Sequence, residues 1–396
     1  MRTGLCYIVL VDLVASTKFM VEHGNDRAAK RIQFFVQSAI NSILQIELVN
    51  VGVFVKEIGD AVFMLSRHSR MCSDGKRPWS TSPERAPAHV TYRGLDVFGM
   101  GPPSSGGSTV GEALNIVEGY PLATMTREAA LHHFLEASRY SFADRGAYLA
   151  DPAYFDVPLT GLLSDGFAAT RRALITPTAA MSPVAPGNPY PFNGGVASVQ
   201  ASASETRVGT TTHVTTADRW GNVVSYTFTI ESTGGAGLVV PGYGFLANNE
   251  LTDFNFDSLT HPNRVEGGKR PRSSMSPTIV LRDGDPLLAV GSPGGSTIIT
   301  TVLQILIDRL DLGLTLPQAI ADPRLSQRNT AATQVEPAFL ATPEAAALQA
   351  RGHVLTATPE IGAATGIEFL DEDRLLAAAE PVRRGGGSAM VVSPSP

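Results

Sequence analysis

Two runs dense in Thr and Val, Thr211 to Ala217 and Val223 to Ile230, flank the polar stretch Asp218-Arg219-Trp220-Gly221-Asn222. β-branched and aromatic residues suit a pleated surface, and a polar interruption with a glycine joins antiparallel neighbours, so the pair reads as a hairpin. What precedes it constrains the chain more. Ser202 to Gly209 is small and polar, and Thr211 then opens a strand with a hydroxyl. A hydroxyl there can attack the carbonyl before it. Once the chain breaks, the freed threonine carries a nucleophile and, in its α-amine, a base. Thr210 offers the same hydroxyl one position earlier, and residue type alone leaves both open.

Length and composition set the frame around this hairpin. A chain of 396 residues suggests two or three domains, or fewer if one is large. With 43% apolar and 17% charged residues it has the composition of an ordinary globular chain. A net charge of −6 argues against a nucleic-acid partner. Cys6 and Cys72 are too few for a disulfide framework and leave the compartment undecided. No run approaches the roughly 18 apolar residues of a membrane span. Leu5 to Ala15 is interrupted by Asp12 and reads as a buried strand rather than a signal-peptide core, so no signal peptide is expected.

The hairpin and the blocks after it resemble the small subunit of gamma-glutamyltranspeptidase, an N-terminal-nucleophile hydrolase. The matching residues are Thr211-Thr212-His213, Asp218 to Asn222, Leu246 to Phe254, Lys269 to Thr278 and Gly291-Ser292-Pro293-Gly294-Gly295. Pro102-Pro103-Ser104-Ser105-Gly106-Gly107 and Tyr140 to Pro152 resemble the end of that family's large subunit. A phosphate-loop reading of the former is rejected, because prolines stand in it and no Gly-Lys-Ser/Thr ends it. The resemblance runs from about Val90 to Val392, with an amphipathic helix expected over Arg127 to Tyr140 and strands at Ile367 to Leu370 and Ala389 to Val392. It implies an α+β fold, a four-layer αββα sandwich, with an incomplete large subunit at 89–210 and a small subunit at 211–396.

The resemblance also assigns roles. Its register selects Thr211 as the nucleophile, with Thr229 on the adjacent strand hydrogen-bonding to it. Gly294 and Gly295 would present backbone N–H groups to the oxyanion. Glu231, Glu250 and Asp253 would hold the substrate α-ammonium, and Ser273 and Ser274 its α-carboxylate. His213 is expected to pack or hydrogen-bond within the strand, and Asp144 with Arg145 to form a structural pair. The implied activity is transfer or hydrolysis of γ-glutamyl groups from glutathione and related compounds to water, amino acids or peptides. No cofactor is expected. After cleavage before Thr211 the product would be a non-covalent heterodimer of the two fragments. A cephalosporin-type acylase of the same fold and an inactive truncated fusion are the alternatives.

The short stretch between Phe254 and Lys269 implies an open cleft without a lid. The front of the large subunit, with the arginine that pairs with the substrate carboxylate, is not matched. Its loss is expected to weaken binding by roughly 1.5 to 3 kcal/mol and to leave sheet edges bare. Arg93 lies outside the matching motif and is not assigned that role.

In place of that front, residues 1–70 read as a separate small α/β unit, followed by a Ser-, Pro- and Arg-rich junction at 71–88. Tyr7 to Val11 and Ala61 to Leu65 are expected strands, and Ala28 to Val49 an expected helix. Val11 to Thr17 and Lys56 to Asp60 resemble the first half of a class III nucleotide cyclase domain. In that family the aspartates matching Asp12 and Asp60 hold magnesium on a triphosphate. The second half of such a domain has no match, so a remnant without cyclisation is expected, with a nucleotide-binding module as the rival.

Overall fold

The computed structural model describes residues 7–9, 61–65, 85–194, 210–239, 244–371 and 374–391. The expected helix Ala28 to Val49 and the segment 195–209 before the hairpin lie outside the described residues.

In chain order the elements that frame the site begin with strands β1 (Tyr7–Val9), β2 (Ala61–Leu65), β3 (Ala88–Tyr92) and β4 (Leu95–Gly99). Three helices follow, α1 (Gly106–Glu118), α2 (Arg127–Tyr148) and α3 (Asp165–Arg172). Then come β5 (Thr211–Ala217), β6 (Val223–Thr229), β7 (Thr278–Arg282), β8 (Asp285–Gly291) and helix α4 (Thr297–Leu310). Short strands β9 (Leu325–Ser326), β10 (Thr333–Val335) and β11 (Leu355–Ala357) precede the closing hairpin β12 (Thr365–Phe369) and β13 (Leu375–Ala379). The mixture of helices and antiparallel strands makes this an α+β fold.

Two antiparallel sheets carry the architecture. The larger runs β13-β12-β8-β7-β4-β3, and the smaller runs β1-β5-β6-β2. The two described stretches of the first 70 residues therefore lie on the two edges of the 211–229 hairpin, Tyr7 opposite Ala217 and Leu65 opposite Val223. Pairing of this kind satisfies the edge N–H and C=O groups that would otherwise be bare.

One face of the larger sheet packs on α1, α2 and α4. Val97, Val280, Leu288 and Val290 meet Leu114, Phe134, Val302 and Leu306 in the main core. Its other face meets the smaller sheet through Ala217, Val223, Ile279, Leu281, Ala289 and Ile367. With both faces covered, β7 and β12 lose the alternation of a half-exposed strand, whereas the edge strand β3 keeps it.

Two expectations need correction. The helix expected over Arg127 to Tyr140 runs on to Tyr148 and is buried on nearly every side rather than amphipathic. Its polar residues are matched internally: Glu136 with Arg139, His132 with His353 and Asp144 with Arg171. The strand expected at Ala389 to Val392 is not formed over its described part, 389–391. The edge of the larger sheet is instead taken by β13, paired along β12 from Thr365–Ala379 to Phe369–Leu375.

Candidate active site

The hairpin turn is fixed by one aspartate. Asp218 accepts from the N–H groups of Trp220 (2.9 Å) and Asn222 (3.0 Å) and from the Asn222 amide (2.8 Å). Gly221 supplies the left-handed backbone, φ 82°, that closes the loop. This sets the register in which Thr211 faces Thr229, His213 faces Thr227 and Thr215 faces Ser225.

That register produces a relay at the head of β5. The Thr211 hydroxyl donates to Thr229 Oγ1 at 3.0 Å, and Thr229 Oγ1 donates to the Thr210 carbonyl at 3.0 Å. The Glu231 N–H donates back to Thr229 Oγ1 at 2.8 Å. Thr210 is further held by its hydroxyl, 2.7 Å from that of Thr233, and by its N–H donating to the Glu231 carbonyl. Both sides of the 210–211 peptide bond are thus positioned, and it is the Thr211 hydroxyl that joins the relay to the Thr210 carbonyl.

Beneath the relay lies a polar seam. Buried His213 contacts the hydroxyls of Thr227 (2.7 Å), Thr215 (3.1 Å) and Ser225 (3.3 Å). Complete burial pushes its pKa down to about 3, so the ring is neutral. It packs against Gly291, where a Cβ would stand 2.2 Å from the ring, so the close approach requires glycine.

The acids come from the segment after β6. Glu231 is buried, and its backbone sits at φ 71°, a conformation that costs a non-glycine residue about 1 kcal/mol or more. Its carboxylate is held by the Asn249 amide (2.5 Å) and the Ser232 hydroxyl. Glu250 and Asp253 bracket a 3₁₀ turn whose start is fixed by Asn248 accepting from the Glu250 N–H (3.0 Å). The Asn263 amide donates to the Asp253 carbonyl at 2.7 Å.

Ser273 and Ser274 arrive on a strand-like stretch locked to the end of α2. Arg272 donates to the carbonyls of Arg145 (2.8 Å) and Leu149 (3.4 Å) at the helix end. Arg270 grips Asp151 through two donors, at 2.9 and 2.7 Å. The start of α1 approaches the same stretch so closely that a Cβ on Gly106 would lie 2.2 Å from the Met275 carbonyl. Gly294 (φ 144°) and Gly295 (φ 60°) then bend the chain into α4 in conformations that side chains disfavour. Their carbonyls accept from the N–H groups of Thr297 and Ile298.

One cavity of ≈ 420 Å³ collects these parts. Thr211, Thr229, Glu231, Glu250, Asp253, Ser273, Ser274 and Gly295 all line it, with Phe254, Phe256 and Met275 as apolar wall. Gly294 is buried directly behind Gly295 and is not among the lining residues. In the short 254–269 segment, Phe256 and Leu259 are exposed. A pocket that brings together a threonine hydroxyl, three carboxyl side chains and two serine hydroxyls can hold a zwitterion beside that threonine.

The expectation that Asp144 and Arg145 pair with each other is not met. Neighbours on a helix point about 100° apart. Asp144 binds Arg171 (2.9 Å) and the Gly187 N–H (2.5 Å), while Arg145 reaches Ser105 and Ser274, both at 2.8 Å. Arg93 is engaged elsewhere, by Asp311 at 2.8 Å and by carbonyls at the end of α1. Asn249, Thr233 and Ser105 were not assigned from sequence. The Asn-Asn pair and the Ser-Ser pair within the matched blocks were the available signals. Asp12, Lys56 and Asp60 lie outside the described residues. Among the described residues no group of three or more His, Cys, Asp or Glu is arranged to hold a metal ion.

Comparison with known proteins gives a consistent picture. The family model for gamma-glutamyltranspeptidase matches residues 81–390. The glutathione hydrolase proenzyme of Bacillus subtilis (strain 168) is 36% identical over 301 residues, 72% of this chain and 51% of that protein. The acylase ACY 1 proenzyme of Pseudomonas sp. (strain SE83) is 36% identical over 319 residues, 77% of this chain and 53% of that protein. Among solved structures, the cephalosporin acylase from Bacillus halodurans superposes with a TM-score of 0.66 at 29% identity, covering 78% of this chain and 53% of that one. The chain spans about half the length of the curated relatives it matches. On the extent of the family match and the identity to these relatives, the chain belongs to the gamma-glutamyltranspeptidase family.

Proposed function

We propose that this chain cleaves itself before Thr211 and then transfers or hydrolyses γ-glutamyl groups, glutathione being the natural class of donor. The observation that carries the reading is the relay from the Thr211 hydroxyl through Thr229 to the Thr210 carbonyl, at the rim of a cavity lined by three acids and two serines. In maturation, Thr211 Oγ1 adds to the Thr210 carbonyl carbon while Thr229 stabilises the developing oxyanion. The Oγ1 proton passes to the nitrogen as the C–N bond breaks, which frees the Thr211 α-amine and leaves an ester. Water hydrolyses that ester, releasing the Thr210 carboxylate and restoring the Thr211 hydroxyl.

In turnover the same hydroxyl attacks the γ-carbonyl of the substrate, and its proton passes to the α-amine. The Gly294 and Gly295 N–H groups receive the oxyanion, which a backbone without side chains can approach closely. The leaving amine takes the proton, and water or an acceptor amine then releases the γ-glutamyl ester. Glu231, Glu250 and Asp253 hold the α-ammonium, and Ser273 and Ser274 the α-carboxylate. The two cleavage fragments stay together, and the observed helical layer and two sheets fit the αββα sandwich of N-terminal-nucleophile hydrolases.

The acylase relatives raise a glutaryl donor as the second reading. A glutaryl group has no ammonium, and three carboxylates on the wall disfavour it. Mass spectrometry of the incubated protein, with γ-glutamyl- and glutaryl-p-nitroanilide as paired substrates, tests both points. We expect two fragments divided at 210–211, a single uncut chain for Thr211→Ala, and preferential release from the γ-glutamyl anilide. Preference for the glutaryl compound would reassign the donor.

A further inference from the structure

Arg145 sits near the end of α2 and is only 3% exposed, yet one of its donors reaches a residue that lines the cavity and another reaches the buried Ser105 behind it. Its Nε donates to Ser105 Oγ at 2.8 Å and a terminal nitrogen donates to Ser274 Oγ at 2.8 Å. Ser105 Oγ passes its own proton to the Ser273 carbonyl at 2.7 Å, and the Ser105 N–H donates to the same carbonyl at 2.9 Å. One guanidinium therefore grips both members of the serine pair, one directly and one through Ser105.

The direction of these bonds matters more than their number. A guanidinium donates and never accepts, so Ser274 Oγ is forced to be the acceptor of the bond to Arg145. Its single proton is then left for another partner. Ser273 is placed in the same state, because its Oγ accepts from the Met275 N–H at 3.2 Å. Both serines face the cavity. A hydroxyl pair set in this way keeps both protons to offer to whatever enters, which suits a carboxylate.

The fork is held by its surroundings. The Arg145 carbonyl is tied by Arg272, the residue immediately before the serines. The guanidinium also lies 5.5 Å from the Phe142 ring centroid. Helix end and serine stretch are thus tied together.

We infer that Arg145 is a positioning residue for substrate recognition: it sets the Ser274 hydroxyl as a donor directly, holds the Ser273 backbone through Ser105, and so makes the pocket selective for ligands with an α-carboxylate. This rests on the γ-glutamyl reading, in which Ser273 and Ser274 receive that carboxylate.

The test is calorimetric binding of L-glutamate and of 4-aminobutanoate, which is the same chain without the α-carboxylate. It needs no turnover and uses the full chain. Wild type should bind L-glutamate at least about tenfold more tightly than 4-aminobutanoate. Arg145→Lys, and independently Ser105→Ala, should shrink that preference to about threefold or less with 4-aminobutanoate affinity unchanged. Ser105→Ala keeps the charge and most of the packing, so it carries the test if the Arg145 variant folds poorly. Adding Arg145→Lys to Ser274→Ala should cost little further preference, as expected when one residue acts through the other. A variant that weakens both ligands equally, or keeps the wild-type preference, overturns the inference and leaves the γ-glutamyl reading standing. A wild type with no preference overturns the carboxylate role of the serines, and this inference with it.

Discussion

Thr229 is the residue whose loss should separate maturation from folding most cleanly. Its hydroxyl is 8% exposed at the residue level and serves three partners: it accepts from Thr211 and from the Glu231 N–H, and it donates to the Thr210 carbonyl. Thr229→Val preserves shape and removes all three. The stability cost comes mainly from the Glu231 N–H left unpaired, about 1 to 3 kcal/mol for one buried donor. The kinetic cost is larger. The bond to the Thr210 carbonyl strengthens as charge develops on that oxygen, and removing one such donor slows acyl chemistry by about 100- to 1,000-fold. A cleavage complete within hours should then take on the order of weeks to months. Thr229→Ser restores the oxygen and should recover cleavage to within about tenfold. Denaturing gels over a time course read the ratio directly, with thermal melts to establish that each variant is folded. If folded Thr229→Val cleaves within about threefold of wild type, the relay has no part in the reaction.

Three further outcomes follow from the geometry. Buried His213 and His353 both have pKa values pushed down to about 3 by loss of hydration, against 6.5 for an unhindered ring, so the unfolded chain takes up their protons first. Their contribution is complete above pH 6.5 and declines as pH falls towards 3, by roughly 2 kcal/mol per ring between pH 7 and pH 5; urea midpoints across that range should fall, and His213→Gln should lessen the slope by about one proton. Gly291→Ala puts a methyl into the His213 ring and should destabilise by about 1 to 3 kcal/mol, measured by the same melts; a neutral effect would mean the ring is not confined. Asp253→Ala should lower kcat/KM for γ-glutamyl-p-nitroanilide more than Ser273→Ala does, because a charge-assisted contact is about twice as strong as a neutral one; the reverse order would move the ammonium subsite away from Asp253.

The hairpin was readable because everything that makes it is local: β-branched strands, one aspartate folding its own turn and a glycine at the left-handed position. The cavity lining was readable because Glu250 to Asp253, Ser273-Ser274 and Gly295 occur in short blocks, each placed by its own turn or helix start. The extent of α2 was not, since its polar residues find partners far along the chain, and no periodicity announces that Asp144 meets Arg171 or that His132 meets His353. β13 escaped for a similar reason: Leu375 to Ala379 has no alternation, and only pairing with β12 makes it a strand. Arg145 was misread because adjacency in sequence was taken for adjacency in space.

The seam between the two sheets holds a consequence for fidelity. Apolar side chains pack with nearly equal comfort at several offsets, so a greasy interface tolerates a strand that slides by two residues. The seam under Thr211 is built from His213, Thr215, Ser225 and Thr227, whose directional hydrogen bonds join three hydroxyls to one imidazole at the observed offset. Slippage would break that set and carry Thr211 away from Thr229. The polar seam therefore favours the one alignment in which the two threonines meet. Substitutions that make the seam more apolar should yield proteins that melt higher and mature less uniformly.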